Sequence, residues 1–155
     1  MVSNSIRFKR NWIDRSEFPI FQPSSILELY PKPDGFIAGN TDTNIEALRV
    51  KKKQVLVTCS GTIGKAIYVS DTLDGKIRIS CKDETDAGYL YAYIKSDIGN
   101  KMLTTNQYGA VVSHIEASHL QEIPIPYPAK PIRMEISKLI EESFRLRDEA
   151  NQLWD

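Results

Sequence analysis

Thiols, imidazoles and long apolar runs are scarce in this chain. Two cysteines, Cys59 and Cys81, and two histidines, His114 and His119, are its whole supply of soft metal ligands. The cysteines stand apart without metal-ligand spacing. The histidines lie five apart, which fits neither a helical HExxH pair nor a finger, so the pattern argues against a zinc site. Two isolated thiols also make no disulfide framework. No apolar run approaches the ~20 residues of a membrane span, and the start Met1-Val2-Ser3-Asn4-Ser5 is too polar for a secretory signal. The expected location is the cytoplasm. Net charge is missing too, because 20 Lys and Arg balance 20 Asp and Glu. The balance is uneven along the chain: residues 1–82 hold 13 basic against 8 acidic side chains, and residues 83–155 hold 7 against 12. Such asymmetry between halves is a hint of nucleic-acid contact.

What is present is organised around Gln54 to Val69, QVLVTCSGTIGKAIYV. Two β-rich runs, Val55 to Cys59 and Lys65 to Val69, flank Ser60-Gly61-Thr62-Ile63-Gly64. This pattern predicts a hairpin whose glycines supply positive φ. The glycines and lysine invite a phosphate-loop reading, which fails at three points: Cys59 stands where the first glycine belongs, Ala66 follows the lysine, and a strand follows instead of a helix. A hairpin alone accounts for the glycines. It leaves unexplained the hydroxyls of Ser60 and Thr62 and the cations Lys51, Lys52 and Lys53 on the approach, a combination suited to a phosphate backbone.

Upstream, Arg7 to Trp12 interleaves cations with aromatics, as either a phosphate grip or a charge-protected edge strand. Prolines at 19, 23, 31 and 33 keep the next stretch loop-rich, with a short strand or helical turn between Ser24 and Tyr30. Asn40 to Asn44 can cap a short helix at Ile45 to Leu48. Downstream, Lys76 to Ser80 alternates like a strand, which predicts a three-stranded meander with the hairpin. Leu90, Ile94, Ile98 and Met102 recur every four residues, so Gly88 to Thr104 reads as one helix, or two breaking near Gly99, opened by acidic residues 83–86. Tyr89, Tyr91 and Tyr93 read as packing residues. Asn106, Gln107 and Tyr108 form a second polar loop ending at Gly109; Asn and Gln can read adenine bidentately. A short helical turn near Glu116 to Leu120 precedes Ile123 to Pro128, whose alternating prolines impose an extended run.

From Pro131 onward Ile136, Leu139, Ser143, Leu146, Ala150 and Leu153 fall on a seam of alternating threes and fours, as in a coiled coil. Glu141 and Arg145 make an i,i+4 pair on the wet side, and Ile140, Phe144 and Trp154 lie off the seam, placed to pack on the globular part. The expected class is α+β: a small mixed-sheet domain with short helices over residues 1–128, then a long coiled-coil-type helix over 129–155. Trp154-Asp155 closes the sequence without a helix cap, which points to a longer natural chain.

These motifs together resemble the target recognition domain of the type I restriction-modification specificity subunit. The resemblance rests on Val55 to Lys65, Gly88 to Ser96 with Gly99, Tyr108 to Val112, and His119-Leu120 with Ile123 to Pro126 before a long helix. It spans most of the chain from about Ser16, and the order of the motifs is more specific than any one of them. It implies a non-catalytic module that reads one half of a bipartite duplex DNA site and meets a second recognition domain, or a second copy, through antiparallel helices along Ile136, Leu139, Leu146, Ala150 and Leu153. It further implies an adenine methyltransferase subunit and a restriction motor subunit as partners. S-adenosylmethionine, ATP and Mg belong to those subunits, so the chain itself needs no cofactor. Gly61, Gly64, Pro124 and Pro126 are then scaffold. Lys51, Lys52, Lys53 and Lys65 are the expected phosphate contacts, and Ser60, Thr62, Asn106, Gln107, Tyr108 and His114 the expected base readers.

The chain departs from that pattern twice. It holds one recognition domain and one helix instead of two of each, as a fragment, a recombined arm or a dimerising half-subunit does, and its Lys76 to Gly88 segment is short. Two other readings compete: an interaction protein that dimerises through residues 131–155 without DNA preference, and a small enzyme with Cys59 as nucleophile and His114 or His119 as base. The second is disfavoured because a cysteine at the end of an apolar strand reads as a small buried hydrophobe, without the electropositive, accessible setting a thiolate needs.

Overall fold

The computed structural model describes residues 2–3, 10–40, 42, 44–59, 63–70, 78–79, 86–105 and 114–154. Among the described residues, seven short strands are followed by four helices. The strands are β1 Val2–Ser3, β2 Trp12–Ile13, β3 Pro19–Ile20, β4 Gly35–Ile37, β5 Val55–Val57, β6 Ala66–Tyr68 and β7 Arg78–Ile79. The helices are α1 Ala87–Lys95, α2 Asp97–Thr105, α3 Ala117–Gln121 and α4 Lys130–Gln152. Single 3-10 turns cover Ser25–Leu27 and Ile45–Leu48, the latter helped by Asn44 Oδ1, which accepts the Ala47 N–H at 3.2 Å. The class is α+β, and the described strands pair antiparallel in two sheets, ordered β1-β7-β5-β6 and β2-β4-β3.

The hairpin forms in the register its sequence predicts, with Val55 opposite Tyr68, Leu56 opposite Ile67 and Val57 opposite Ala66. All six of these residues are buried. The expected meander is corrected: β7 pairs with β5, Val55 facing Ile79, and not with β6. A wholly apolar strand such as β5 is served by neighbours on both sides. β6, which packs against α1 and the Ser25–Leu27 turn, takes the end position among the described strands of that sheet.

The predicted helical stretch breaks into α1 and α2 at Ser96, three residues before Gly99. Ser96 closes α1 in an extended conformation, its N–H reaching the carbonyls of Ala92 and Tyr93. Its hydroxyl donates to Tyr93 O at 2.7 Å and accepts the Gly99 N–H at 3.2 Å, so one serine ends one helix and starts the next. The break turns the buried face. Leu90 and Ile94 lie in the core as their spacing predicts, but Ile98 (67% exposed) and Met102 (42%) face outward, and α2 buries Gly99 and Leu103 in their place.

Helix α4 packs against α1 with the face that carries Arg133, Ser137, Ile140, Phe144 and Asp148. Phe144 closes an aromatic cluster, its ring centroid 5.3 Å from those of Tyr68 and Tyr91. Each edge or tilted contact of this kind adds about 0.5–1.5 kcal/mol beyond area burial. Burial pushes the Tyr91 hydroxyl above its ordinary pKa, with nearby Arg147 working against it, and lowers that of Arg147, whose guanidinium lies over the Phe144 ring. Phe144 and Ile140 thus pack on the globular part as expected. Trp154 does not: it follows the end of α4 and is 86% exposed. The expected Glu141–Arg145 pair is also corrected, because Arg145 bridges Glu142 and Glu149 while Glu141 turns inward to Lys53 at 3.5 Å. Arg145 already has two carboxylates within reach on its own face, one at i−3 and one at i+4. Its hydrogen bond holds the Glu142 carboxyl below the usual range.

Candidate nucleic-acid interface

The polar loop predicted at the tip of the hairpin springs from Thr58 and Cys59 and returns through Ile63 and Gly64. Its stem is closed by the Thr58 N–H donating to Lys65 O at 3.0 Å and the Lys65 N–H donating to Thr58 Oγ1 at 3.2 Å. Gly64 has φ +83°, a conformation that disfavours side chains, and a Cβ there would sit 2.9 Å from Thr104 Cγ2. Asn100 Nδ2 donates to the Gly64 carbonyl. The hairpin end is therefore seated on α2, on side chains one turn apart at positions 100 and 104.

The second polar loop leaves from the end of that same helix. α2 ends at Thr105, and the chain returns at His114 and Ile115, where the Ile115 N–H donates to Cys59 O at 2.9 Å. The stems of the two loops are thus joined at one end of the sheet. Ser60, Thr62, Asn106, Gln107 and Tyr108 lie outside the described residues, but the residues that lead into and out of both loops are side by side. His114 is half-buried at this junction, and Lys65, which closes the hairpin stem opposite Thr58, is exposed. Asn100 and Thr104, which seat the hairpin, were not singled out by sequence reasoning; their i,i+4 spacing on a polar helix face was the available signal.

The lysine run occupies the opposite end. Lys51 to Gln54 is a tight turn: the Gln54 N–H donates to Lys51 O at 3.2 Å, the Lys51 N–H donates to Gln54 Oε1 at 2.8 Å, and Lys53 adopts φ +65°. Lys53 pairs through its backbone with Val69, five residues along the strand from Thr58, so this turn is separated from the polar loop by roughly 16 Å at about 3.3 Å per residue. Lys51 and Lys52 are exposed, whereas Lys53 reaches across to Glu141 of α4. Sequence proximity had placed these cations on the approach to the polar turn; the strand between them carries them away from it.

Cys59 is half-buried and packs against the core instead of being fully enclosed. His119 accepts the Glu116 N–H on Nδ1 at 3.2 Å and completes the capping box of α3. Two clefts lie beside α4, one lined by Lys52, Tyr68, Ser70 and Asp148 and another by Lys53, Met134 and Glu135. Among the described residues no group of three His, Cys, Asp or Glu is placed to hold a metal ion, and no helix is long and apolar enough to cross a membrane.

The proline-rich run from Ile123 to Pro128, between α3 and α4, completes the frame. Tyr89 and Tyr93 donate their hydroxyls to the carbonyls of Pro126 and Pro124 at 2.6 and 2.8 Å, so the extended proline run is strapped along α1. Burial raises the Tyr89 hydroxyl pKa, with Tyr93 adding to the effect. These are the packing roles expected of the tyrosines. Among curated proteins, none matches the chain significantly. The family profile described as type I restriction modification DNA specificity domain matches residues 6–152. The chain belongs to the type I restriction-modification DNA specificity domain family.

Proposed function

We propose that this chain is a sequence-specific double-stranded DNA-binding module that reads one half of a bipartite site and catalyses nothing itself. Its methyltransferase and restriction subunits bring S-adenosylmethionine, ATP and Mg, and the assembly works in the cytoplasm. The observation that carries this reading is the joining of two polar loop stems, at Cys59 and Ile115, at one end of a sheet in a member of this family. Recognition residues on loops held by a rigid scaffold are how such modules change specificity without changing fold. Ser60, Thr62, Asn106, Gln107, Tyr108 and His114 are assigned to base edges, and Lys65 to phosphate at the same end. Lys51 and Lys52, with Lys53 partly neutralised by Glu141, meet phosphates at the far end of the hairpin.

Residues 129–155 serve as the spacer arm. Leu139, Leu146, Ala150 and Leu153 are exposed, with Ile136 half-buried beside them, on the side of α4 away from the core. That apolar stripe is assigned to an antiparallel helix of a second recognition domain or a second copy. Adenine-methylation mapping of plasmid DNA from cells expressing the chain with the methyltransferase of its own locus tests the proposal. A new bipartite motif supports it, palindromic for a dimer and asymmetric for a second recognition domain from elsewhere. A stable complex that leaves no new motif contradicts it.

A further inference from the structure

A buried polar clamp joins the loop-bearing domain to α4. Arg133 is 6% exposed; its Nε donates to Asp86 Oδ1 at 2.9 Å and its Nη1 to Pro128 O at 2.6 Å, and the guanidinium lies 3.6 Å from the centroid of the Tyr127 ring. Tyr127 donates its hydroxyl to the other oxygen of Asp86 at 2.6 Å. One turn further along α4, Ser137 Oγ accepts the Tyr89 N–H at 2.9 Å, and Gly88 approaches so closely that a Cβ on it would lie 2.6 Å from Ser137 Cα. Two successive turns of α4 are therefore locked to the first turn of α1.

A buried ion pair adds little net stability, because desolvation offsets its attraction; its best-attested use is to select one geometry over others. Here the geometry concerns rotation. At about 100° per residue, the face bearing Arg133, Ser137, Phe144 and Asp148 and the stripe bearing Leu139, Leu146 and Leu153 lie about 170° apart around the helix. Holding the first face fixes the direction of the second. One base pair turns a duplex by about 34°, so an arm free to roll by that amount accommodates a neighbouring spacing.

We infer that the Asp86–Arg133–Tyr127 clamp, backed by the Gly88–Ser137 contact, sets the rotation of α4 relative to the recognition loops and so fixes the number of base pairs between half-sites. This rests on the DNA-reading function proposed above. Arg133, Asp86 and Tyr127 are positioning residues that act through α4.

The test compares wild type, Tyr127→Phe and Arg133→Lys by adenine-methylation mapping of the full chain expressed with its methyltransferase. Pulsed-EPR distances between nitroxides at Lys101→Cys and Gln152→Cys, in the purified chain with Cys59 and Cys81 replaced by serine, supply a DNA-free readout. Wild type is expected to give one spacing and a narrow distance distribution. Both variants are expected to keep the half-site bases, broaden the distribution, and raise methylation at spacings one base pair longer or shorter by at least tenfold. Should Arg133→Lys fail to fold, Tyr127→Phe decides, since it keeps the ring and removes one hydrogen bond from an exposed side chain. A wild-type motif whose single spacing persists in the folded variants overturns this inference alone. A wild type that yields no motif overturns the DNA reading and the inference with it.

Discussion

Ile115 donates its backbone N–H to the Cys59 carbonyl at 2.9 Å, which binds the exit of one polar loop to the entry of the other. Two segments more than fifty residues apart in sequence thereby present a single end of the sheet. The base-reading proposal depends on that junction staying rigid, and α2 is what keeps it so through Gly64.

Replacing Gly64 with alanine forces a side chain into φ +83° and against Thr104 and Asn100. The expected cost is about 1–3 kcal/mol, seen as a lower urea midpoint at unchanged slope. Asn100→Ala removes only the side-chain bond to the Gly64 carbonyl, for about 1 kcal/mol. The same denaturation series checks both.

Inner and outer faces of α4 should respond in opposite ways. Phe144, 7% exposed between Tyr68 and Tyr91, is expected to cost about 3–5 kcal/mol as alanine. Leu146, 52% exposed, should stay within about 0.5 kcal/mol of wild type. Sedimentation reverses the ranking: Leu146→Asp should abolish association through the outer stripe while leaving the melting temperature unchanged.

Local pattern made much of the fold legible. Two β-rich runs and a glycine turn located the hairpin, a proline and a three-four seam located α4, and the order of motifs pointed to the family that the profile match bears out. What the sequence concealed was decided by contacts distant along the chain. The pairing of β7 with β5 joins Val55 to Ile79 across more than twenty residues, and the outward turn of Ile98 and Met102 depends on Ser96 breaking a period that otherwise runs on. The clamp was invisible for the same reason, because Asp86 and Arg133 are 47 residues apart and each alone reads as a helix-end charge. Lys51 to Lys53 looked adjacent to the polar loop because sequence distance ignores the strand between them.

Removing one partner of the buried pair leaves the other uncompensated. Arg133→Met should lose about 3–5 kcal/mol, and pairing it with Asp86→Leu should recover most of the loss. A double-mutant cycle by chemical denaturation measures the coupling; a double variant as unstable as the sum of the singles would mean the two residues act independently.

The lysines are separable by salt. Lys65→Gln should lower the slope of log affinity against log salt by about 1 on any duplex. Lys53→Gln should change it less, since Glu141 stands 3.5 Å from its ammonium. Filter-binding titrations between low and moderate salt compare them.

The most direct measurement maps the adenine-methylation motif specified by the wild-type chain against that of Gln107→Ala, each expressed with the methyltransferase of the locus. If the joined loops read base edges, the variant's motif will be relaxed at one base pair, with about 1–3 kcal/mol of discrimination lost there and the rest of the half-site intact. A motif unchanged at every position, or a uniform loss of methylation at all sites, would contradict that assignment.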